Sequence, residues 1–454
     1  MKIARILISG IVLLSLCLSI VGCGGDNGSA PPSWTSSLDA ASEFRGELEN
    51  PVVKHLSDRN LNEEASVALQ LFMENYGGSI EHVNTTFAEK FDALANAILT
   101  DNSPDLFDYH WNAFPHGMYH QQFEPLDNYV DIDNPIWTDI RPIMEQFKWK
   151  GEHYYLPVNQ FVNATMHYDR DILVDKMGYE DPKALYDRGE WTWDTFYDMI
   201  VDFTNAEDGN IGYFGLSAAF FIATTGTTMV DVSPEGEIIN NLRNTDIQRA
   251  MEFIEKCNKE KLFGERDNNW RGGKALNDGD ILFYGMGLWV LGGSDGLAAN
   301  LPDHDLFFVP YPRDPSSDTY YHSVETTGFM VPKGSKNIEG ASAFIICNRL
   351  ENIDPELAAT ARDRALNPEP EFDRKGNPKF VFAYTEEQYD FMTSWNEPDN
   401  LSFVFDHAYG FNQDTDDTFN EMLEEMLVQG GSWSEVRERH YPVIQNHLDK
   451  YAIE

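Results

Sequence analysis

The chain has 454 residues, 42% hydrophobic and 13% aromatic, a composition far from the disorder signature and a length that exceeds one ordinary core. Acids outnumber bases 75 to 33, giving a formal net charge of −42. Such a body repels phosphate backbones and carries no basic stripe to oppose that, which excludes nucleic acid as a partner class and reads instead as solubility at a cell surface.

The chain opens with Lys2 and Arg5, runs through an apolar stretch, and reaches Ile20-Val21-Gly22-Cys23. A basic start stays cytoplasmic, the apolar run engages export machinery, and small Gly22 leaves room for cleavage before Cys23. This is the layout of a bacterial lipoprotein signal, with residues 1–22 removed and Cys23 lipidated. The apolar run over residues 6–21 falls short of the roughly 20 residues a spanning helix needs. Residues 23–50, rich in Gly, Ser, Pro and acids, read as a flexible tether. The expected location is therefore the outer side of the cell membrane, with a soluble body held by lipid.

Val52-Val53 begins the structured part. Leu69, Phe72, Met73 and Tyr76 then share one helical face, and Gly77-Gly78 stops that helix. A strand is expected at residues 80–85. A second helix is expected to open at Thr86, with Glu89 at capping-box spacing and a stripe of Phe87, Phe91, Leu94, Ala95 and Ile98. Ser103-Pro104 ends it before a strand over residues 105–109. Alternating strands and helices imply a parallel sheet covered by helices, with ligands beyond the strand ends. Farther on, Trp193, Phe196, Ile200 and Phe203 share a helical face, as do residues from Ile247 to Ile254. Trp193 is assigned to the core on that pattern. The 4 cysteines form no disulfide framework: Cys17 leaves with the leader and Cys23 takes lipid. Cys257 and Cys347 read as buried thiols, with a single bridge between them left open.

Several motifs fail on inspection. Gly285-x-Gly287 lacks the third glycine of a dinucleotide fingerprint, and Gly272-Gly273-Lys274 is followed by Ala275 instead of a hydroxyl residue. His116 and His120 have the spacing of metal ligands without an accompanying Glu, and read as a surface pair. Asp414 and Asp416 hint at a calcium loop, but Asp417 stands where the turn needs Gly. No metal and no cofactor are expected.

Five segments in order resemble the extracellular solute-binding protein family of carbohydrate ABC importers, the group that includes maltose-binding protein. They are Tyr76-Gly77-Gly78 with Ser103-Pro104-Asp105-Leu106; Tyr155-Leu156-Pro157 with the run from Tyr168 to Leu173; the run from Trp191 to Phe196; Gly285-Met286-Gly287-Leu288-Trp289, where Leu288 replaces the family's Pro; and the run from Thr327 to Asn337. The resemblance spans roughly residues 60–450. It implies an α/β, two-lobed periplasmic-binding-protein-like fold of type II, each lobe a sheet flanked by helices and joined by a hinge. It also implies lobe 1 from residues 51–162 and 300–335, and lobe 2 from 163–299 and 336–454.

A sugar presents apolar ring faces and a rim of hydroxyls, so its receptor needs aromatic plates with groups that donate and accept hydrogen bonds. Trp289 matches the family's stacking Trp, with core packing as the other reading. Tyr109, Trp111 and Asn112 follow the strand at Asp105, where the family places an aromatic and a polar contact; a buried loop anchor is the alternative. Asn159, Gln160 and Asn163 sit where the lobes cross, and either bind ligand or satisfy hinge backbone. Glu325 and Thr326 precede the return crossing, and Trp395, Phe405 and Tyr409 are further aromatic candidates.

The expectation that follows is a lipid-anchored receptor, monomeric, that captures a sugar or oligosaccharide between two lobes and delivers it to ABC importer permease subunits. It is not an enzyme. The alternative is an exported glycoside hydrolase using a carboxylate pair, for which the many acids and aromatics offer material. A surface adhesin would need repeats, and none is seen.

Overall fold

The computed structural model describes residues 43–451 apart from 64–65, 163, 205–208, 217, 265–275, 277, 293–295, 371–375, 398–401 and 412–417. Its strands, in chain order, are β1 (Val52–Ser57), β2 (Ser79–Asn84), β3 (Leu106–Asp108), β4 (Lys148–Trp149), β5 (Glu152–His153), β6 (Leu156–Val162), β7 (Thr165–Asp169), β8 (Ile211–Gly215), β9 (Val230–Val232), β10 (Ile238–Asn240), β11 (Ile281–Met286), β12 (Leu306–Pro310), β13 (Tyr321–Met330) and β14 (Ser402–Val404). They build two main sheets. The first has the order β14-β13-β3-β1-β2, with β6 on β13; the second is β12-β7-β11-β8. β1 is parallel to β2 and β3, and β8 is parallel to β11, as crossover helices require.

The chain passes from the first sheet to the second between β6 and β7, and returns between β12 and β13. These neighbouring crossings are the hinge. The return falls after Pro310, later than the expected residue 300, because β12 pairs with β7 from Leu306↔Asp169 to Pro310↔Thr165. A second boundary also moves. The helix Ile338–Ile353, expected in lobe 2, packs on the helix Val67–Tyr76 and on β6 of the first sheet. Arg349 locks it there, donating to the carbonyls of Ile136 and Val158 at 2.7 Å each and pairing with Asp139.

The Val67–Tyr76 helix ends as its sequence dictates. Gly77 adopts φ 64°, and the N–H groups of Gly77 and Gly78 close onto Met73 and Phe72. Its buried face is Ala68, Leu71, Phe72 and Asn75, however, while Met73 is 60% exposed. The stripe is rotated because the 338–353 helix, absent from any local pattern, decides which side is covered. The second helix, Lys90–Leu99, starts later than expected, since Thr86 bonds the Glu89 side chain at 2.9 Å without capping the helix. Phe87 thus lies outside it and is 41% exposed.

The helix Trp193–Phe203 begins at the capping box of Thr192 and Thr195, and Trp193 is core, its indole N–H donating to Thr224 at 3.1 Å. In the helix Thr245–Lys259, Ile247, Met251, Ile254 and Cys257 face inward. Cys257 and Cys347 are free and buried, and burial pushes the Cys347 thiol up to about 12. The end of the expected tether is not loose: Phe44 and Leu48 pack against the core, and Gly46 donates to the Asn75 carbonyl. Cys23 lies outside the described residues. Among those described, no helix is long and apolar enough to cross a membrane.

Candidate ligand cleft

The parallel strands of each sheet set the site, because their C-terminal ends open on the space outside the sheet. In the first lobe, β1 and β3 deliver His55, Ser57 and Asp108. His55 Nε2 lies 3.1 Å from Asp108 Oδ1, and the Ser57 hydroxyl donates to Oδ2. Burial opposes ionisation of Asp108, yet His55, Ser57 and Arg59 together hold its carboxyl well below the usual carboxylate range. Lys90, buried at the start of its helix, is pushed down by burial and held up by Asp108 and Asp58.

The aromatic part follows directly. Tyr109 stacks on Tyr155 at 4.0 Å and 19°, with Phe147 edge-on to both at 5.2 and 4.6 Å. Tyr155 shares a 2.8 Å hydrogen bond with Thr326, which sits opposite Gln160 where β6 meets β13. From the far side, Phe405 comes within 4.9 Å of Phe147, and His407 within 5.2 Å of Phe114. Burial, then the charge of Glu325, pushes the Tyr109 phenol well above its usual range, so it remains a neutral O–H.

This hinge region collects polar atoms that find no hydrogen-bond partner among the described residues: Tyr109 Oη, Gln160 Oε1, His322 Nε2, both ring nitrogens of His407, and Asp406 Oδ2. Buried polar groups ordinarily pair, because each one left alone costs about 1–3 kcal/mol. Burial lowers His322 to about 4 and His407 to about 3, so both rings are neutral and carry one donor and one acceptor each. A small cavity between the lobes is lined by Phe220, Thr224 and Tyr311 on one side and Val162, Tyr321 and His322 on the other.

The second lobe meets it with the ends of β8 and β11. A Cβ on Gly285 would lie 2.2 Å from Tyr213 Oη and 2.4 Å from Tyr311 Oη, so only glycine fits between these phenols. Trp289 follows at once, half-buried in the turn Leu288–Leu291. A larger depression of about 330 Å³ lies elsewhere, between the 245–259 helix and Ser432. Its wall is Glu252, Glu255, Lys256, Lys259 and Glu260 without an aromatic, and Lys259 and Glu255 pair with each other. It offers no plate for a sugar ring.

The structure therefore brings Tyr109, Gln160, Glu325, Thr326 and Phe405 to one region, with Trp111 and Asn112 on its first-lobe rim. Asn159 is spent on the hinge, its Oδ1 accepting from the Thr327 backbone at 3.3 Å and hydroxyl at 2.5 Å. Trp395 is a correction: it is 1% exposed, enclosed by Phe308 and Phe391 in the second lobe's core. The surface placing of His116 is another: its ring lies 4.3 Å from that of His120, as a pair, but it is buried and bonds Tyr451 at 3.0 Å. Asn163, the side chain of Tyr409, and the rejected motifs at 272–274 and 414–417 lie outside the described residues. Tyr155, Phe147, His322 and His407 escaped sequence reasoning; only the run of aromatics from Phe147 to Tyr155 signalled any of them.

Comparison with known proteins gives the same frame. A family model described as bacterial extracellular solute-binding protein matches residues 68–350. Similar solved structures include an ABC substrate-binding protein from Listeria monocytogenes in complex with cycloalternan, at 16% identity and TM-score 0.58 over 89% of this chain and 99% of that one. A cyclo/maltodextrin-binding protein complexed with maltotetraose aligns at 12% identity and TM-score 0.63, over 88% and 97%. The ABC transporter associated binding protein from B. animalis subsp. lactis, in complex with β-1,6-galactobiose, aligns at 17% and 0.58, over 88% and 98%. No curated protein matches the sequence.

Proposed function

From the premise that this chain belongs to the bacterial extracellular solute-binding proteins, we propose that it is the sugar-capturing receptor of an ABC importer. It binds a sugar or oligosaccharide at the hinge between its lobes and hands it to a membrane permease. One observation carries the choice of ligand class: aromatic plates at Tyr109, Tyr155 and Phe405 stand in the same region as buried groups without partners among the described residues at Tyr109, Gln160, His322 and His407. Ring faces cover plates, and hydroxyls, which donate and accept, match such a mixed set of phenol, carboxamide and imidazole. The structures cited above contain sugars, which supports the same reading.

Export and lipidation at Cys23 complete the proposal: the receptor stays near its permease while its lobes move. Trp289 would supply the second lobe's plate, and Glu325 and Thr326 the polar floor. No chemistry on the ligand is required. The hydrolase alternative needs two carboxyl groups free to act on a glycosidic bond. Asp108, at the end of β3, is engaged on both oxygens by His55 and Ser57.

The test is a panel of mono- and oligosaccharides read by thermal stabilisation and by chromatography of the sugar afterwards. A receptor is stabilised in proportion to ligand occupancy and returns the sugar intact. Cleavage product, or no stabilisation by any sugar, would overturn the proposal.

A further inference from the structure

The helix Trp433–Leu448, near the end of the chain, is tied to both lobes. Over its first two turns it is held by the second lobe. The Glu255 carboxylate of the helix Thr245–Lys259 accepts from the Trp433 N–H at 2.8 Å, Arg437 donates to Gln248, and Arg243 pairs with Glu438 at 2.6 Å. Thr245–Lys259 is itself fixed in that lobe, with Phe253 stacked on Trp193 at 5.1 Å and 17°. The far end enters the first lobe. Tyr451 is 1% exposed, its hydroxyl 3.0 Å from His116 Nδ1 and its ring 4.9 Å from Tyr119 and 5.0 Å from Phe411. His447 Nε2 donates to the Phe411 carbonyl at 2.6 Å. Phe411 is held on the first lobe through Gly410, whose Cβ, if it had one, would fall 1.8 Å from the Phe114 carbonyl oxygen.

The lobes stand together in this structure: they share the small cavity at the hinge, and the Gly151 N–H of the first lobe reaches the Pro234 carbonyl of the second at 3.2 Å. Rotation about the crossings at β6–β7 and β12–β13 would part them. A helix of 16 residues, about 24 Å long, does not stretch to follow. Opening must therefore release one of its ends. The second-lobe end is held by an ion pair, two further hydrogen bonds and the buried Trp433 and Val436, whereas the first-lobe end rests chiefly on one aromatic side chain. We propose that this helix is a strap between the lobes and Tyr451 its releasable anchor. Seated against His116, Tyr119 and Phe411, Tyr451 favours the closed arrangement before any ligand arrives. None of these residues belongs to the hinge site, so the strap sets how often the cleft is closed and leaves the ligand's own contacts unchanged. Its signature is a single factor on affinity, the same for every ligand, equal to the change in the closed fraction.

Tyr451→Ala and Tyr451→Phe, made in the full chain and checked for folding by circular dichroism, test this. Small-angle X-ray scattering without ligand should give Tyr451→Ala a larger radius of gyration than the wild type, with Tyr451→Phe between them. A saturating sugar should bring all three to one value. Calorimetry should then show affinity about tenfold lower in Tyr451→Ala and about two- to threefold lower in Tyr451→Phe, by the same factor for every sugar that binds. Equal radii and affinities in a folded Tyr451→Ala, or a factor that differs from sugar to sugar, overturn the strap and leave the receptor intact. Should Tyr451→Ala fail to fold, the same readings on Tyr451→Phe decide. If no sugar binds the wild type, the receptor reading falls, and the unliganded scattering alone upholds or overturns the strap.

Discussion

Deleting one oxygen at Tyr109 separates ligand contact from folding. Tyr109→Phe keeps the ring stacked on Tyr155 at 4.0 Å and edge-on to Phe147. It removes a hydroxyl that is buried without a partner among the described residues. An unsatisfied buried hydroxyl costs about 1–3 kcal/mol, so the free protein loses nothing and gains up to about 3 kcal/mol. In the complex the same O–H donates to a sugar hydroxyl, a bond whose net contribution is about 0.5–1.5 kcal/mol. Affinity should therefore fall about two- to tenfold while stability holds or rises. Tyr109→Ala, by contrast, removes the stack and costs about 3–5 kcal/mol of stability. Denaturant unfolding and titration calorimetry on the same preparations read both quantities. A Tyr109→Phe protein that is less stable but binds as before would show that the hydroxyl serves the fold, and the reasoning from orphaned polar groups would fail.

Trp289→Ala should weaken sugar binding by about 1–3 kcal/mol, as measured by calorimetry, if Trp289 is the second lobe's stacking plate as proposed. Gly285→Ala should destabilise by about 1–3 kcal/mol in denaturant unfolding, since its Cβ would fall 2.2 Å from Tyr213 Oη. Arg349→Ala should cost about 3–5 kcal/mol in the same assay, leaving the Ile136 and Val158 carbonyls and the Asp139 carboxylate without their partner. Asp406 gives a pH signature: burial first, and Asp231 beside it, raise its pKa to about 7 against the partial relief of the Ala408 N–H. A carboxyl raised on folding contributes stability that is complete at acid pH and is lost as pH climbs from about 4 to about 7. Asp406→Asn should accordingly match the wild type at pH 4 and exceed it at pH 8, with the difference growing across that window.

Local signals in the sequence were sufficient where a structure is decided locally. Gly77 ends its helix because a left-handed residue is needed there, and Thr192 with Thr195 caps the next because both partners lie within one turn. The five ordered segments carried the two-lobed fold. What the sequence hid was decided across distance. The face of the 67–76 helix depends on a helix some 270 residues later, and Trp395, at the end of the helix Glu386–Ser394, is core because Phe308 of β12 closes over it. The lobe boundaries moved for the same reason, since pairing of β12 with β7 cannot be read from either strand alone. At the site, Tyr109, Gln160 and Thr326 were legible as residues beside strand ends. Tyr155, His322 and His407 were not: Tyr155 matters through its stack on Tyr109 and its bond to Thr326, and the two histidines through burial without a partner among the described residues, which only the assembled hinge reveals.

The central claim is capture between two lobes, and hydrogen exchange measures it most directly. With a saturating sugar, amides in residues 105–112, 156–162 and 321–327 of the first lobe and the crossing strands should slow together with those in 284–291 of the second. Protection confined to one lobe, or exchange unchanged by every sugar that stabilises the protein, would contradict it.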